Sequence, residues 1–312
     1  RASAEVLHPA AQALSRPGWR PPCATRRSAE EDALDRALVW LALQQSEDGS
    51  FTAGGAPPDP AGDALALLAF LGAGNRPLSG RYAETVARSI PLLSSRAFRL
   101  GGGGRELTPA DPLTVLALGD AEILDMRRGR PRPIGLETGT SRLVARLRSP
   151  DRLDPDIAFW SSMSLLSARH SGVEQPEGIL HATVRRVAWI APEDRDIWSD
   201  ERHASAAALL HLLLGADPSD GRMTTATERI LAAAESGNVD DTLLYLGSYA
   251  LFQVGGEPWN TWRARTNDAL FAGQRANGSW APTDGRSAVA TTALRSLSLT
   301  VALRSARITG GR

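Results

Sequence analysis

The chain has 312 residues, enough to bury a sizeable core without disulfide or metal staples. Its 35 basic and 35 acidic residues cancel, so there is no net basic field for nucleic acid. Every Lys/Arg-class residue is arginine, which excludes a lysine Schiff base, a P-loop lysine and a kinase-type lysine, and the lone Cys23 excludes an internal disulfide or a cysteine metal cluster.

In chain order, residues 1–28 carry Pro17, Pro21, Pro22 and five arginines with little helical period, and they read as an N-terminal arm or linker. Because the first residue is Arg1, the chain is expected to be a processed portion, and its compartment stays open between the cytoplasm and export after loss of an N-terminal segment. From residue 29 to 304 apolar residues recur at three- and four-residue spacing, the mark of an all-α chain. Residues 305–312 read as a tail. No run of about 18 apolar residues occurs, so no membrane span is expected.

Two segments share a local design. Ala37 to Gln45 leads into Asp48-Gly49-Ser50-Phe51, and Ala269 to Gln274 leads into Asn277-Gly278-Ser279-Trp280. Each predicts a helix stopped by an Asp-Gly or Asn-Gly turn, with a glutamine four residues before the glycine and an aromatic two after it. The glutamine amide is expected to cap backbone groups at the helix end, and the aromatic to pack over the next helix. Six helices that are apolar nearly all round start near Gly62, Asp111, Asp156, Arg202, Asp241 and Ser287. Amphipathic candidates lie between them, near 29–45, 81–94, 136–148, 177–190, 223–236 and 259–274, with residues such as Glu30, Asp32, Asp35 and Arg36 expected to face water. Six pairs make an α/α toroid, an inner ring of six helices inside an outer ring of six. An open solenoid of hairpins has the same period, and the likeness of the first and last turns favours closure.

The sets Gln45, Gly49, Phe51 and Gln274, Gly278, Trp280 resemble the glutamine–tryptophan (QW) repeat of squalene-hopene cyclases and the related prenyltransferase and squalene-oxidase repeat proteins. The resemblance runs along about residues 29–304. Gly255-Gly256, Trp259, Trp262, Asp268, Gln274, Gly278, Ser279, Trp280 and Thr291-Thr292-Ala293-Leu294 resemble a group of bacterial single-toroid proteins. What the resemblance implies firmly is fold, because one toroid serves cyclases, protein prenyltransferases, thioester domains and proteins without known chemistry.

Asn238-Val239-Asp240-Asp241-Thr242 resembles the Asp-x-Asp-Asp-Thr acid motif of class II terpene cyclases, with Asn238 in place of the first aspartate. The resemblance makes Asp240 a candidate general acid, with Asp241 beside it. The competing reading is a helix N-cap. Asp63, Asp111, Asp154 with Asp156, and Asp200 with Glu201 stand at equivalent helix starts, an arrangement that would ring one mouth with carboxylates able to hold a polar ligand or cation. Asp241, Tyr245, Tyr249 and Phe252 share one helical face, and Asp156, Trp160 and Met163 share another; these stripes, together with His203, supply further candidate ligand-binding residues. Aromatic residues make up only 5% of the chain, which looks sparse for guiding a carbocation.

Other chemistries fail on inventory. His203 and His211 lie eight residues apart on one helix, about 12 Å, too far to share a metal. No Gly-x-Ser-x-Gly elbow accompanies His170 or His181, and Gly101 to Gly104 have no lysine to complete a phosphate loop. The expected function is a non-catalytic or degenerate terpenoid-cyclase-like toroid that binds a protein partner or an apolar, isoprenoid-type molecule. The alternative is a small class II terpenoid cyclase acting through Asp240. Chain length favours the first, since class II cyclases generally build their cavity between two helical domains. No cofactor is expected, and because cysteine and histidine are sparse and scattered, chelators should leave the melting temperature unchanged. Stoichiometric zinc whose removal unfolds the protein would contradict this.

Overall fold

The computed structural model describes residues 28–100, 106–125, 133–148, 154–188, 201–283 and 285–304. The arm up to residue 27 with Cys23, the Gly101–Gly104 run, Asp200 and the tail from residue 305 lie outside the described residues.

Twelve α-helices and no strand occur among the described residues. They form six pairs, each an outer helix followed by an inner one: α1 Ala29–Leu43 with α2 Pro60–Gly72, α3 Ala83–Arg99 with α4 Ala110–Asp125, and α5 Ile134–Leu147 with α6 Pro155–His170. The second half continues with α7 Ile179–Ala188 and α8 Glu201–Leu213, α9 Gly221–Ser236 and α10 Asp241–Val254, then α11 Gly256–Ala272 and α12 Ala288–Arg304. Each inner helix packs on the next, and α12 returns to α2, so the ring closes as an α/α toroid. No described helix is long and apolar enough to cross a membrane.

Composition separates the layers. In α2 every residue from Gly62 to Leu71 is buried, as expected of a helix covered on several sides. In α3 only Val86, Ser89, Leu93 and Ala97 are buried, and in α9 only Met223, Ala226, Ile230 and Ala233, one stripe at helical spacing. Small residues allow the inner helices to approach closely. A Cβ on Gly119 of α4 would lie 2.5 Å from Ser167 Oγ of α6. Two of the buried hydroxyls of α6 are returned to backbone: Ser162 donates to Ala158 O at 2.9 Å, and Ser164 donates to Trp160 O at 2.6 Å.

The glutamine turns do more than end a helix. Gln45 Nε2 donates to Thr85 O at 2.9 Å on α3, and Gln274 Nε2 donates to Ala33 O at 2.8 Å on α1. The glutamine thus ties its turn to the following outer helix, whereas capping of its own helix falls to Gln44, which donates to Trp40 O. Gly49 and Gly278 have φ of +89° and +94°, and a Cβ would lie 2.2 Å from Arg88 O and 2.3 Å from Arg36 O respectively. Both the left-handed backbone and the close approach require glycine. The amide of Phe51 donates to Asp63 Oδ1 at 2.5 Å, and the amide of Trp280 donates to Thr292 Oγ1 at 3.3 Å, each twelve residues downstream.

The closing seam adds charge. Glu30, expected at the surface, is buried and accepts from Arg263 Nε at 3.0 Å and Asn267 Nδ2 at 3.1 Å, because α11 covers the start of α1 once the ring is shut. Arg36 Nε donates to Gln274 Oε1 at 3.1 Å.

Gly278→Ala must therefore combine left-handed strain with a backbone collision across the seam. It should cost clearly more than Gly237→Ala, where φ is +72° but the space is open and strain alone, about 1–2 kcal/mol, applies. Urea denaturation of both variants checks this; equal losses would show that the close approach carries no weight.

Candidate functional site

The first turns of all six inner helices line one cavity of about 910 Å³, so these helices run parallel with their N-termini at a common mouth. The walls are apolar: Leu65 of α2, Leu113 of α4, Trp160 of α6 and Leu294 of α12, with Pro57, Pro58 and Pro282 from the turns. Asp59, Asp156, Arg202, Thr242, Arg286 and Ser287 bring the polar chemistry.

Helix capping consumes most of the acids. Asp59 caps α2 through Gly62 N at 2.9 Å, Asp154 caps α6 through Asp156 N at 2.9 Å, and Asp240 caps α10 through Leu243 N at 2.7 Å. The second oxygen of Asp240 pairs with Arg202 Nη2. Asp240 is not among the residues lining the cavity. Asp241, 1% exposed, accepts from Arg295 Nε at 2.7 Å and from the Thr283 hydroxyl. Asp63, also 1% exposed, pairs with Arg96 Nη2 at 2.6 Å besides accepting the Phe51 amide. Asp111 turns back to the entry of α4, where it accepts from Thr108 N at 2.7 Å. The helix-start acids therefore do not form an open ring of carboxylates. Among the described residues, Asp156 is the one aspartate of those expected at the mouth that lines the cavity, and the cap Asp59 lines it as well.

Asp156 lies one turn before Trp160 on α6, with Arg202 Nη1 at 3.6 Å. Burial pushes its carboxyl above the ordinary aspartate range, opposed by Arg202 and reinforced by Asp154. Arg202 stands between Asp156 and Asp240 and so links α6, α8 and α10. His203, half-buried on the same turn of α8, adds an electrostatic interaction with Asp156. Arg286 donates to Thr242 Oγ1 at 2.6 Å. Neither Arg202 nor Arg286 stood out in the sequence as a functional residue; their one signal was position, at or just before an inner-helix start.

Deeper along the axis, Trp160 stacks on Tyr245 with centroids 6.2 Å apart and planes 5° from parallel, and Tyr249 follows at 6.3 Å. Few as the aromatic residues are, three of them are thus brought together on the ring axis. Phe252 leaves that group and packs edge-on against Trp259. Burial, with the nearby Asp120 carboxylate, holds the phenols of Tyr245 and Tyr249 far above their usual range, so both remain neutral.

No family model and no curated protein matches the sequence. Solved structures do match. The type II terpene cyclase MstE from Scytonema, in its apo form, is similar with a TM-score of 0.56 at 15% identity over 88% of this chain and 98% of that one. A variant of the same enzyme in complex with its substrate, geranylgeranyl dihydroxybenzoate, is similar with a TM-score of 0.54 at 14% identity over 88% and 97%. At such identity the likeness is one of fold. That neighbour is covered almost end to end by this chain.

Asp156 also fixes a pH dependence. A carboxyl with a higher pKa folded than unfolded penalises the folded state fully above the raised value and not at all below the ordinary value of 3.8. Asp156→Asn should therefore be more stable than wild type at neutral pH, with the advantage fading as pH falls toward 3.8. Thermal melts across that range test this; a variant less stable at neutral pH would show that the Arg202 pairing outweighs burial.

Proposed function

We propose that this protein is a terpenoid-cyclase-like toroid that takes an apolar, isoprenoid-type ligand into the mouth cavity, hydrocarbon toward Trp160 and polar end among Asp156, Arg202 and Arg286. The observation that carries the reading is the cavity itself: a volume of about 910 Å³ with apolar walls and a few polar groups at its rim. The same-fold neighbour crystallised with geranylgeranyl dihydroxybenzoate supports the ligand class.

The role assigned to Asp240 is structural. One of its oxygens accepts a backbone amide and the other a guanidinium, so neither presents an O–H toward the cavity. A second reading, proton transfer to an alkene, draws support from a different residue. Asp156 faces the cavity, its pKa is raised by burial, and an aromatic face lies one turn below it.

Equilibrium dialysis with geranylgeraniol, followed by product analysis, tests both. Wild type should bind it, and Trp160→Ala should weaken binding about tenfold or more, the worth of one buried aromatic wall. Asp240→Asn should bind as wild type does, and no cyclised product should form from geranylgeraniol, squalene or prenyl diphosphates. A product made by wild type and lost in Asp156→Asn, with binding retained, would replace the binding reading with the catalytic one. Failure to bind any isoprenoid would overturn both and leave a protein partner as the occupant to seek.

A further inference from the structure

A second, smaller cavity of about 60 Å³ lies on the ring axis below the first. Its walls include Leu68, Leu116, Met163 and Leu297, each three residues beyond Leu65, Leu113, Trp160 and Leu294 of the upper cavity. The two chambers are thus about one helical turn apart on the same helices. The stacked Trp160 and Tyr245 stand between them, one lining the upper space and the other the lower.

The polar lining of the lower chamber has one sign. Asp120, Tyr245, Tyr249 and Thr300 face it, and no arginine or histidine is among its lining residues. Asp120 Oδ1 accepts from Ser167 Oγ at 2.6 Å, and Thr300 is satisfied by donating to Leu297 O at 2.7 Å. Tyr249 is only 4% exposed, and it lines the chamber together with Tyr245. A small chamber that offers one carboxylate beside two aromatic rings suits a cationic guest. Leu71, Gly72, Ile123, Leu124 and Val301, also in the wall, belong to the last turns of their helices. Three inner helices, α2, α4 and α12, therefore bring the negative ends of their dipoles to this chamber, which favours positive charge.

We propose that the lower chamber is a cation subsite for the ammonium group of a small amine. Asp120 pairs with the charge, and the rings of Tyr245 and Tyr249 cover the adjoining alkyl carbons and contribute cation–π attraction. The assignment goes beyond the reading of the mouth cavity and holds whatever occupies that cavity.

The test is a titration of the full chain with methylammonium chloride, followed by NMR of ring-labelled tyrosine, with methanol as the uncharged match and sodium chloride as the ionic-strength control. Methylammonium should shift the Tyr245 and Tyr249 signals saturably, and methanol should not at the same concentration. Asp120→Asn keeps an acceptor for Ser167 and should weaken binding about tenfold or more, the loss expected when a charge-assisted pair becomes neutral. Tyr249→Phe keeps the ring face and should bind within about threefold of wild type. Equal binding of methanol and methylammonium, or an Asp120→Asn variant that binds like wild type, would overturn the proposal. The comparison of the two probes on wild type decides the matter even if a variant fails to fold.

Discussion

Closure of the ring depends on one hydrogen bond made twice: a glutamine amide reaching from the end of its own helix to a carbonyl of the next outer helix. Gln45 makes it to α3 and Gln274 makes it to α1, so the last turn treats the first helix as its successor. Each amide is doubly used. Gln45 also donates to Ser89 Oγ at 3.0 Å, and Gln274 also donates to Gly278 O at 2.9 Å inside its own turn. A turn held from within and fixed to its neighbour has little freedom in the angle at which it launches the following inner helix. Set at the first and last turns, that angle suits the return of α12 against α2.

Parallel inner helices follow from this arrangement, and the character of the two chambers follows from the parallel helices. At the mouth, amide groups and positive dipole ends gather, which suits the aspartate caps and explains why most helix-start acids are taken up by structure. At the other end the field reverses. The axis therefore runs from a mouth bearing Arg202 and Arg286 to a base bearing Asp120, with Trp160, Tyr245 and Tyr249 between. Small residues are what keep the axis narrow: with Gly119 against Ser167, and Gly72 within 3.1 Å of Thr300 Oγ1 were a Cβ present, larger side chains would force the inner helices apart.

The helices were legible in the sequence because a buried helix and a half-buried one leave different patterns, continuous in Gly62 to Leu71 and striped in Val86, Ser89, Leu93 and Ala97. The site was legible only in outline. An aspartate at a helix start can cap, pair outward or face the axis, and a rotation of one residue, about 100°, decides among these. Asp240 and Asp241 are neighbours in the chain, yet one caps and pairs with Arg202 while the other is sealed against Arg295. Trp160 and Tyr245 belong to stripes visible in the sequence, but their stacking depends on where α6 and α10 stand in the ring. Arg202 and Arg286 were missed because surface arginines are common and no local pattern marks one that turns inward. Asp120 was missed for a related reason, since an acid near the end of an apolar helix reads as a solvent-facing residue.

A closed ring also limits how such a protein can change over generations. An open stack of helix pairs can lengthen or shorten by whole units, because each unit meets only its neighbours. Here Glu30 is buried under α11 and Arg36 is held by Gln274, so the first and last units are already each other's neighbours. A seventh pair would have no gap to enter, and the loss of one would leave Gln274 facing the wrong partner. Gradual variation is therefore confined to the loops at the mouth and to the residues that line the axis, and the number of units can change only by building a different ring.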